Sequence, residues 1–206
     1  MRVSNLLLPS VAVLALAGAP AASAAGGGAG VTTSAKTTSQ PATSANSGGA
    51  GVSPRVVPPS QPSVPGFVAK IIHGVAYAPA EAPRAVQLAI WAGNRIRHKP
   101  YIYGGGHGSF NDVGYDCSGS VSYVLHAAGL LQTPFDSSEF MSWGRRGVGN
   151  WITVYTNPGH AFVEIAGIRL DTSSEGDPNY TGGSGPRWRW LLRDTGGFDA
   201  RHPARY

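Results

Sequence analysis

Hydrophobic positions in the second half of the chain follow two different periods. Over residues 83–96, and again over residues 117–128, apolar side chains recur every three or four positions, as they do on one face of an α-helix. Pro83 suits the first position of the earlier helix, and Lys99-Pro100 ends it. Gly129 supplies a terminator for the later helix. The pattern therefore predicts two helices separated by a glycine-rich loop.

Beyond residue 150 the pattern changes to short stretches of β-branched and aromatic residues. Three such stretches, 151–155, 161–165 and 168–172, are separated by turn residues, and each predicts a strand. Helices that precede a run of strands indicate an α+β fold.

The first 66 residues show neither period. A basic start, an apolar run over residues 6–17 and the small residues Ala22-Ser23-Ala24 predict a secretory signal peptide over residues 1–24. The apolar run is shorter than the roughly 20 residues that span a bilayer, so we expect no stable membrane insertion. Residues 25–66, rich in Gly, Ser, Thr and Pro, predict a disordered linker. Residues 67–206 then form one domain, and we expect a secreted protein that is extracellular or associated with the cell wall.

Charge narrows the choice of partners. The formal charge of +5 becomes +4 when Arg2 leaves with the signal peptide, a mildly basic balance that favours acidic polymers such as the cell wall. The arginines are scattered rather than clustered with aromatic residues, so nucleic acid is excluded as a partner. The sequence predicts no cofactor and identifies no protein activator.

Cys117 is the one cysteine of the chain and therefore cannot form an internal disulfide. It is either an inert, buried thiol or a nucleophile. Asp116 is a good N-cap, which would place Cys117 in the first turn of a helix, where free N–H groups and the helix dipole favour a thiolate. The same N–H groups are donors for a developing oxyanion. This placement favours the nucleophile.

His160 is the best candidate for the base that a nucleophilic cysteine needs. It follows the turn Asn157-Pro158-Gly159 and opens a strand, so a rigid element would aim it. His126 lies nine residues beyond Cys117 on the same helix, about 13 Å away, and cannot reach the thiol. His107, in the glycine-rich loop, could approach the site, but nothing in the sequence holds it there. The other histidines lie outside the predicted core elements: His73, His98 and His202.

The predicted pairing of two strands identifies Asp171 as the third catalytic residue. A two-residue turn at Ala166-Gly167 would pair Glu164 with Arg169. That register makes His160 and Asp171 diagonal neighbours on one face, with backbones about 7–8 Å apart. Asp171 would then fix the tautomer and orientation of the imidazole. Glu164 shares this face, but its position opposite Arg169 predicts a surface ion pair.

Three motifs in a fixed order resemble those of the NlpC-type cell-wall cysteine peptidases. They are Pro100-Tyr101-Ile102-Tyr103-Gly104-Gly105, then Asp116-Cys117-Ser118-Gly119 at a helix start, then Gly159-His160 at a strand start, and the resemblance covers residues 82–172. It implies a papain-like α+β fold in which the helix that carries the nucleophile packs on a small antiparallel sheet. It also implies hydrolysis of amide bonds in peptidoglycan stem peptides, typically beside the γ-linked D-glutamate.

The resemblance also assigns roles by position. It makes Cys117 the nucleophile, His160 the base and Tyr101 a residue that lines the site and assists the oxyanion. Asp116 and Ser118 match positions that in some members hold the free amine of the stem peptide, although a plain helix cap explains Asp116 equally well. The family usually has a histidine as its third polar residue, in the region where this chain has an aspartate. A carboxylate can also orient an imidazole, so the mechanism is unchanged but the position of the third group stays open.

Three other functions stay open as well. A zinc site could use Cys, His and Asp, but the close ligand pairs of structural zinc sites are absent from the sequence. An acyltransferase or transpeptidase would share the same acyl-enzyme. The third is a catalytically idle wall-binding module. Separately, Trp188 and Trp190 alternate as residues of a strand do, and they would either stack on sugar or, as is more common, be half-buried in the core.

Overall fold

The computed structural model of the protein describes residues 60–177, 184–190 and 193–206. The predicted signal peptide and residues 25–59 of the predicted linker lie outside the described residues, so both stay predictions. In the described ranges the helices and strands are, in chain order, β1 (Ser63–Val64), β2 (Lys70–Ile72), β3 (Val75–Pro79), α1 (Arg84–Ile96), α2 (Cys117–Ala127), α3 (Ser137–Phe140), β4 (Arg145–Arg146), β5 (Ile152–Asn157), β6 (His160–Ile165), β7 (Ile168–Asp171), β8 (Arg187–Arg189) and β9 (Asp199–His202).

The strands form two sheets. A small sheet has the order β1-β3-β2, and the main sheet has the order β4-β9-β5-β6-β7-β8, with every pair of the main sheet antiparallel. β1 lies within the last residues of the predicted linker and pairs in parallel with β3. The indole N–H of Trp91 on α1 donates to the carbonyl of Pro62 at 2.9 Å. Regular pairing therefore begins slightly before Phe67.

Both predicted helices are confirmed to within one residue. α1 begins after its N-cap Pro83 and ends at Ile96. α2 begins at Cys117, and its C-cap Ala128 is followed by Gly129, whose φ of +73° is the left-handed conformation that ends helices.

The predicted hairpin formed by β6 and β7 is also confirmed. Glu164 of β6 lies opposite Arg169 of β7, and Ile165 lies opposite Ile168. Ala166 and Gly167 both have positive φ, 50° and 88°, as a two-residue turn of type I′ requires. Helices packed on an antiparallel sheet confirm the predicted α+β fold.

The core lies between the two long helices and the centre of the main sheet. α2 packs against α1, β6 and β7, so that its first turn is held next to the strands. Val124 and Leu125 of α2 are fully buried, as are Val163 and Ile165 of β6. Burying each such side chain contributes about 1.5–3 kcal/mol, and this burial fixes α2 relative to β6.

The two tryptophans near the end of the chain have different environments. Trp188 of β8 is buried, and its indole N–H donates to the side-chain oxygen of Asn94 on α1 at 3.1 Å. Its ring also fills the space beside Gly93, where a Cβ would lie 2.3 Å from Cζ2 of the indole. Trp188 is therefore part of the core, whereas Trp190 is 56% exposed.

Gly119 sets how closely the first turn of α2 approaches the glycine-rich loop. A Cβ at this position would lie 2.0 Å from the carbonyl oxygen of Gly105, which is backbone and cannot rotate away. We expect Gly119→Ala to lower the free energy of unfolding by about 1–3 kcal/mol, as overpacking does. Gly108→Ala is the matched control, because no atom lies within 4 Å of a Cβ there. Urea unfolding followed by circular dichroism measures both, and equal stability of the two variants would contradict the expected clash.

Candidate active site

Cys117 occupies the first position of α2. The N-cap is Asp116, whose Oδ1 accepts a hydrogen bond from the backbone N–H of Gly119 at 2.7 Å. Cys117 is a free cysteine and is half-buried. The predicted cap is therefore present, and the sulfur lies where the free N–H groups of the helix start favour negative charge.

The thiol of Cys117 contacts β6. Burial raises the pKa of Cys117, but hydrogen bonds from the imidazole of His160 and the backbone N–H of Ala161 outweigh burial, so the pKa lies below its ordinary value. The positive charge of a protonated His160 adds to this lowering, and the carboxylate of Asp116 opposes it. The surroundings of the sulfur thus favour the thiolate.

His160 is the first residue of β6. The turn before it is held by Asn157, whose side-chain oxygen accepts from the N–H groups of Gly159 and His160, both at 2.9 Å. Nε2 of His160 lies 2.9 Å from Oδ1 of Asp171, which leaves Nδ1 as the ring nitrogen for the thiol of Cys117. The strand start therefore aims the ring as the sequence predicted.

The protonation of His160 is coupled to that of Cys117. Burial alone would lower the pKa of His160, but hydrogen bonds to Asp171 and Cys117 raise it to about 9. The pKa of the thiol moves down while that of the imidazole moves up, so each charge stabilises the other. The arrangement favours a thiolate–imidazolium pair at neutral pH.

Asp171 is fully buried at the end of β7. Its Oδ1 accepts from His160 and also from the backbone N–H of Ser173 at 2.8 Å. Its Oδ2 lies 3.4 Å from Nη1 of Arg193 and 3.6 Å from Nε of Arg169. The structure thus brings together the three residues predicted to be catalytic, in the order thiol, imidazole, carboxylate.

The predicted surface ion pair between Glu164 and Arg169 is wrong. Although the two residues are opposite each other in the sheet, the Arg169 side chain is fully buried. Its Nη2 donates to the backbone carbonyl of Glu175 at 2.9 Å, because residues after β7 fold back over this face. Glu164 is half-buried and forms a side-chain hydrogen bond with Tyr155.

Cys117 opens into a cleft of about 580 Å³. Tyr101 and Tyr103 line this cleft, 38% and 90% exposed. Burial and the negative charges of Cys117 and Asp116 raise the pKa of Tyr101, so its hydroxyl keeps its proton and remains a donor beside the sulfur. The other residues that line the cleft are Gly104, His107, Asp116, Ser118, Asp136, Ser137, Pro158 and Gly159.

Asp116 is surrounded by donors of the protein itself. Besides capping α2, it accepts from the N–H of Gly104 at 3.0 Å, from the Ser118 hydroxyl at 3.3 Å and lies 3.0 Å from Nε2 of His107. Its exposure is 6%. The cap role is therefore present, and binding of a substrate amine by Asp116 or Ser118 stays a prediction that requires one of these donors to move.

His107 has no partner that the sequence alone predicts. In the structure its Nε2 contacts Asp116 and lies 3.2 Å from the hydroxyl of Ser118, so the ring is held at the cleft. The sequence carries a partial signal, because a histidine in a glycine-rich loop precedes an N-cap aspartate by nine residues. Nothing in the spacing predicts that this loop folds back onto the cap.

Another wall of the cleft comes from α3, a short helix that the hydrophobic pattern does not predict. Its N-cap Asp136 and Glu139 form a capping box, in which each side chain accepts from the other's backbone N–H. The Asp-x-x-Glu spacing was the signal that could have found it. Ser137 donates to the carbonyl of Pro158 at 3.2 Å and so ties α3 to the turn before His160.

Within the described ranges, no group of three or more His, Cys, Asp or Glu side chains is arranged to hold a metal ion. Among the helices of residues 60–177, 184–190 and 193–206, none is long and apolar enough to cross a membrane.

Comparison with known proteins gives structural matches only. No protein-family model matches the sequence, and no curated protein matches it. The structure is similar to RipB, a peptidoglycan hydrolase from Mycobacterium tuberculosis, with 22% identity over 62% of this chain and 71% of that chain and a TM-score of 0.45. It is also similar to RipD of the same organism, a non-catalytic NlpC/p60 domain protein adapted to peptidoglycan binding, with 22% identity over 54% of this chain and 100% of that chain and a TM-score of 0.36. The similarity to NlpC/p60 domains is thus at low sequence identity and concerns the fold alone.

Proposed function

We propose that the protein is a cysteine peptidase that hydrolyses amide bonds in peptidoglycan stem peptides through an acyl-enzyme on Cys117. The observation that carries this proposal is the position of His160, which hydrogen-bonds Cys117 on one side and Asp171 on the other. The buried carboxylate fixes the imidazole, and the imidazole in turn polarises a thiol that faces an open cleft.

In the first half of the reaction, the thiolate of Cys117 attacks the carbonyl carbon of the scissile amide and forms a C–S bond. The oxyanion that develops accepts hydrogen bonds from N–H groups at the start of α2, and the Tyr101 hydroxyl is a further donor. The C–N bond then breaks as protonated His160 gives its proton to the leaving amine. The products of this half are a thioester and a free amine.

In the second half, His160, now neutral, takes a proton from a water molecule, which attacks the thioester carbon. The C–S bond breaks and a carboxylic acid leaves. Because His160 keeps the proton it took from water, the site is again a thiolate–imidazolium pair. Asp171 stays ionised throughout and stabilises the imidazolium each time it forms.

The substrate class rests on two features of the sequence. The motifs around Tyr101, Cys117 and His160 resemble those of cell-wall cysteine peptidases in order and in context. The predicted export and the mildly basic charge suit an acidic polymer outside the cell. A module that only binds the wall would not need a polarised thiol, which favours the enzyme over the idle module.

The test is digestion of defined muropeptides by the purified protein, with products identified by mass spectrometry. We expect the native protein to release cleaved fragments, and Cys117→Ala to reduce the rate by about 10³-fold or more, because the thiolate that attacks the carbonyl carbon is lost. Cys117→Ser, which keeps the shape but has a poorer nucleophile, should also be strongly impaired.

The same digestion separates the competing functions. An amine acceptor such as a D-amino acid is added in a parallel reaction, and products that carry this amine instead of water would identify an acyltransferase. Fragments that persist undiminished in both Cys117 variants would exclude the proposed nucleophile. Binding of muropeptides without cleavage by the native protein would favour the wall-binding module.

A further inference from the structure

The imidazole of His160 is bordered by two phenyl rings. The ring centroid of Phe162 lies 6.2 Å from that of His160, and the centroid of Phe198 lies 6.3 Å from it. The two phenyl rings contact each other edge to face at 5.3 Å. Phe162 is on the same strand as His160, whereas Phe198 comes from the end of the chain.

Pairing between β5 and β9 places Phe198 at this point. Thr156 of β5 lies opposite Asp199 of β9, and Asn157 lies opposite His160 of β6. Phe198, one residue before β9, is therefore brought beside the residue that faces His160. Asn157 adds a direct tie, because its side-chain N–H donates to the carbonyl of Gly197 at 3.3 Å.

Arg193 lies against both phenyl rings. Its guanidinium carbon is 5.3 Å from the centroid of Phe162 and 5.2 Å from that of Phe198, within the range of cation–π contacts. Its Nη1 is 3.4 Å from Oδ2 of Asp171, and its Nη2 contacts the carboxylate of Glu175. The side chain is only 6% exposed, so these contacts fix it.

We propose that Arg193 is a positioning residue of the candidate site: it holds the carboxylate of Asp171 and the two rings beside His160 so that the imidazole faces Cys117. Oδ2 of Asp171 faces Arg193, which directs Oδ1 to Nε2 of His160. The planar guanidinium is suited to this task because it can contact a carboxylate along its edge and aromatic rings on its face. This inference rests on the proposed function.

Arg193 acts through Asp171. The pKa of His160 depends on its burial and on its interactions with Asp171 and Cys117. When Arg193 is lost, Arg169 and the backbone N–H of Ser173 still contact Asp171, but its Oδ2 loses the nearer of its two guanidinium partners. We expect the carboxylate to be held less firmly and its hydrogen bond to His160 to weaken, so the imidazolium becomes less stable and the thiolate with it. The titratable and charged groups around this pair are Tyr101, Asp116, Glu164, Arg169, Glu175, Asp177, Arg189 and Arg193.

The experiment measures the alkylation rate of Cys117 by iodoacetamide against pH in the full chain, which has one cysteine and gives an unambiguous signal. We expect Arg193→Gln to shift the alkylation curve to higher pH, because the thiol loses part of its imidazolium partner. With muropeptides the same variant should lower kcat by about 10- to 100-fold while KM changes less than about twofold, since positioning and not binding is affected. Arg193→Lys keeps the charge and should recover part of both losses.

Arg201→Gln is the matched control. Arg201 belongs to the same end of the chain, is buried to a similar extent, and has its ion pair with Asp199 instead of Asp171. We expect it to leave the alkylation curve unchanged. If Arg193→Gln does not fold, Phe198→Leu, which keeps Arg193 but removes one ring, is expected to shift the alkylation curve in the same direction.

Failure of the inference is distinguishable from failure of the proposed function. An alkylation curve unchanged in Arg193→Gln, or shifted equally in Arg201→Gln, overturns the positioning role even if the native protein cleaves muropeptides. A shift confined to Arg193→Gln, or to Phe198→Leu where that variant replaces it, supports the role even if no muropeptide is cleaved.

Discussion

Replacing His160 with alanine is expected to lower kcat/KM for muropeptide cleavage by about 10³- to 10⁴-fold, close to the loss from removing Cys117 itself. The thiol then loses the partner that polarises it, and no proton donor remains for the leaving amine. The two losses should not add, because thiol and imidazole act as one unit. Steady-state kinetics of both single variants and the double variant measure this.

The alkylation rate of Cys117 gives an independent check on the same variant. The hydrogen bond and charge of His160, together with the backbone N–H of Ala161, lower the pKa of the thiol against the effect of burial. In His160→Ala the burial remains, so the pKa of Cys117 should rise and alkylation at neutral pH should slow. His126→Ala is the control, because His126 stacks on Phe110 at 3.7 Å and bonds the carbonyl of Leu131. Equal effects of the two replacements would contradict the assignment of His160 as the base.

The local part of the fold could be predicted from the sequence because its signals are local. The helical periods gave α1 and α2, and Pro83 and Gly129 marked their ends. The two-residue turn Ala166-Gly167 determined the register of β6 and β7, and with it the neighbour relation of His160 and Asp171. Pairing across a tight turn needs no knowledge of the rest of the chain.

The rest of the main sheet depends on contacts between distant segments. β8 (Arg187–Arg189) and β9 (Asp199–His202) are short and contain charged residues. The alternation of Trp188 and Trp190 suggests a strand, but nothing in either segment indicates which strand it pairs with. Their pairing with β7 and β5 covers surfaces that the local pattern presents as exposed. Arg169, which the register places on a polar face, is likewise buried, because residues after β7, among them Glu175, fold back over that face.

In the candidate site, too, some residues are placed by local sequence signals and others by contacts between distant segments. The positions of Cys117 and His160 follow from a helix start and a strand start, which the sequence marks with a cap and a turn. The residues that surround them come from elsewhere: His107 from a folded-back loop and Arg193 and Phe198 from the end of the chain. Sequence alone predicts the candidate nucleophile and base, because a lone cysteine and a well-placed histidine have specific chemistry. It does not predict the residues that surround them, because arginine and phenylalanine are common in any core or surface.

The pH dependence of cleavage follows from the pair formed by Cys117 and His160. The proposed reaction needs the thiolate and the imidazolium together, so we expect cleavage to begin as pH rises through the lowered pKa of Cys117 and to end as pH rises through the pKa of His160, about 9. We therefore expect kcat/KM, measured from about pH 5 to 10, to fall on the alkaline side near pH 9. A fall near pH 6.5, the ordinary value for histidine, would contradict the raised pKa.

Asp171 is expected to determine where that alkaline fall lies. In Asp171→Asn an oxygen can still face the imidazole but the charge is gone, so the pKa of His160 should decrease and the fall should move to lower pH. In Asp171→Ala the orientation is lost as well, and we expect kcat to drop by about 10²- to 10⁴-fold. Glu164→Ala is the matched control on the neighbouring strand: its carboxylate is half-buried and bonds Tyr155 instead of His160, so its effect on kcat should be far smaller. The reverse order of the two alanine variants would mean that the carboxylate at the end of β7 supports the sheet and not the imidazole.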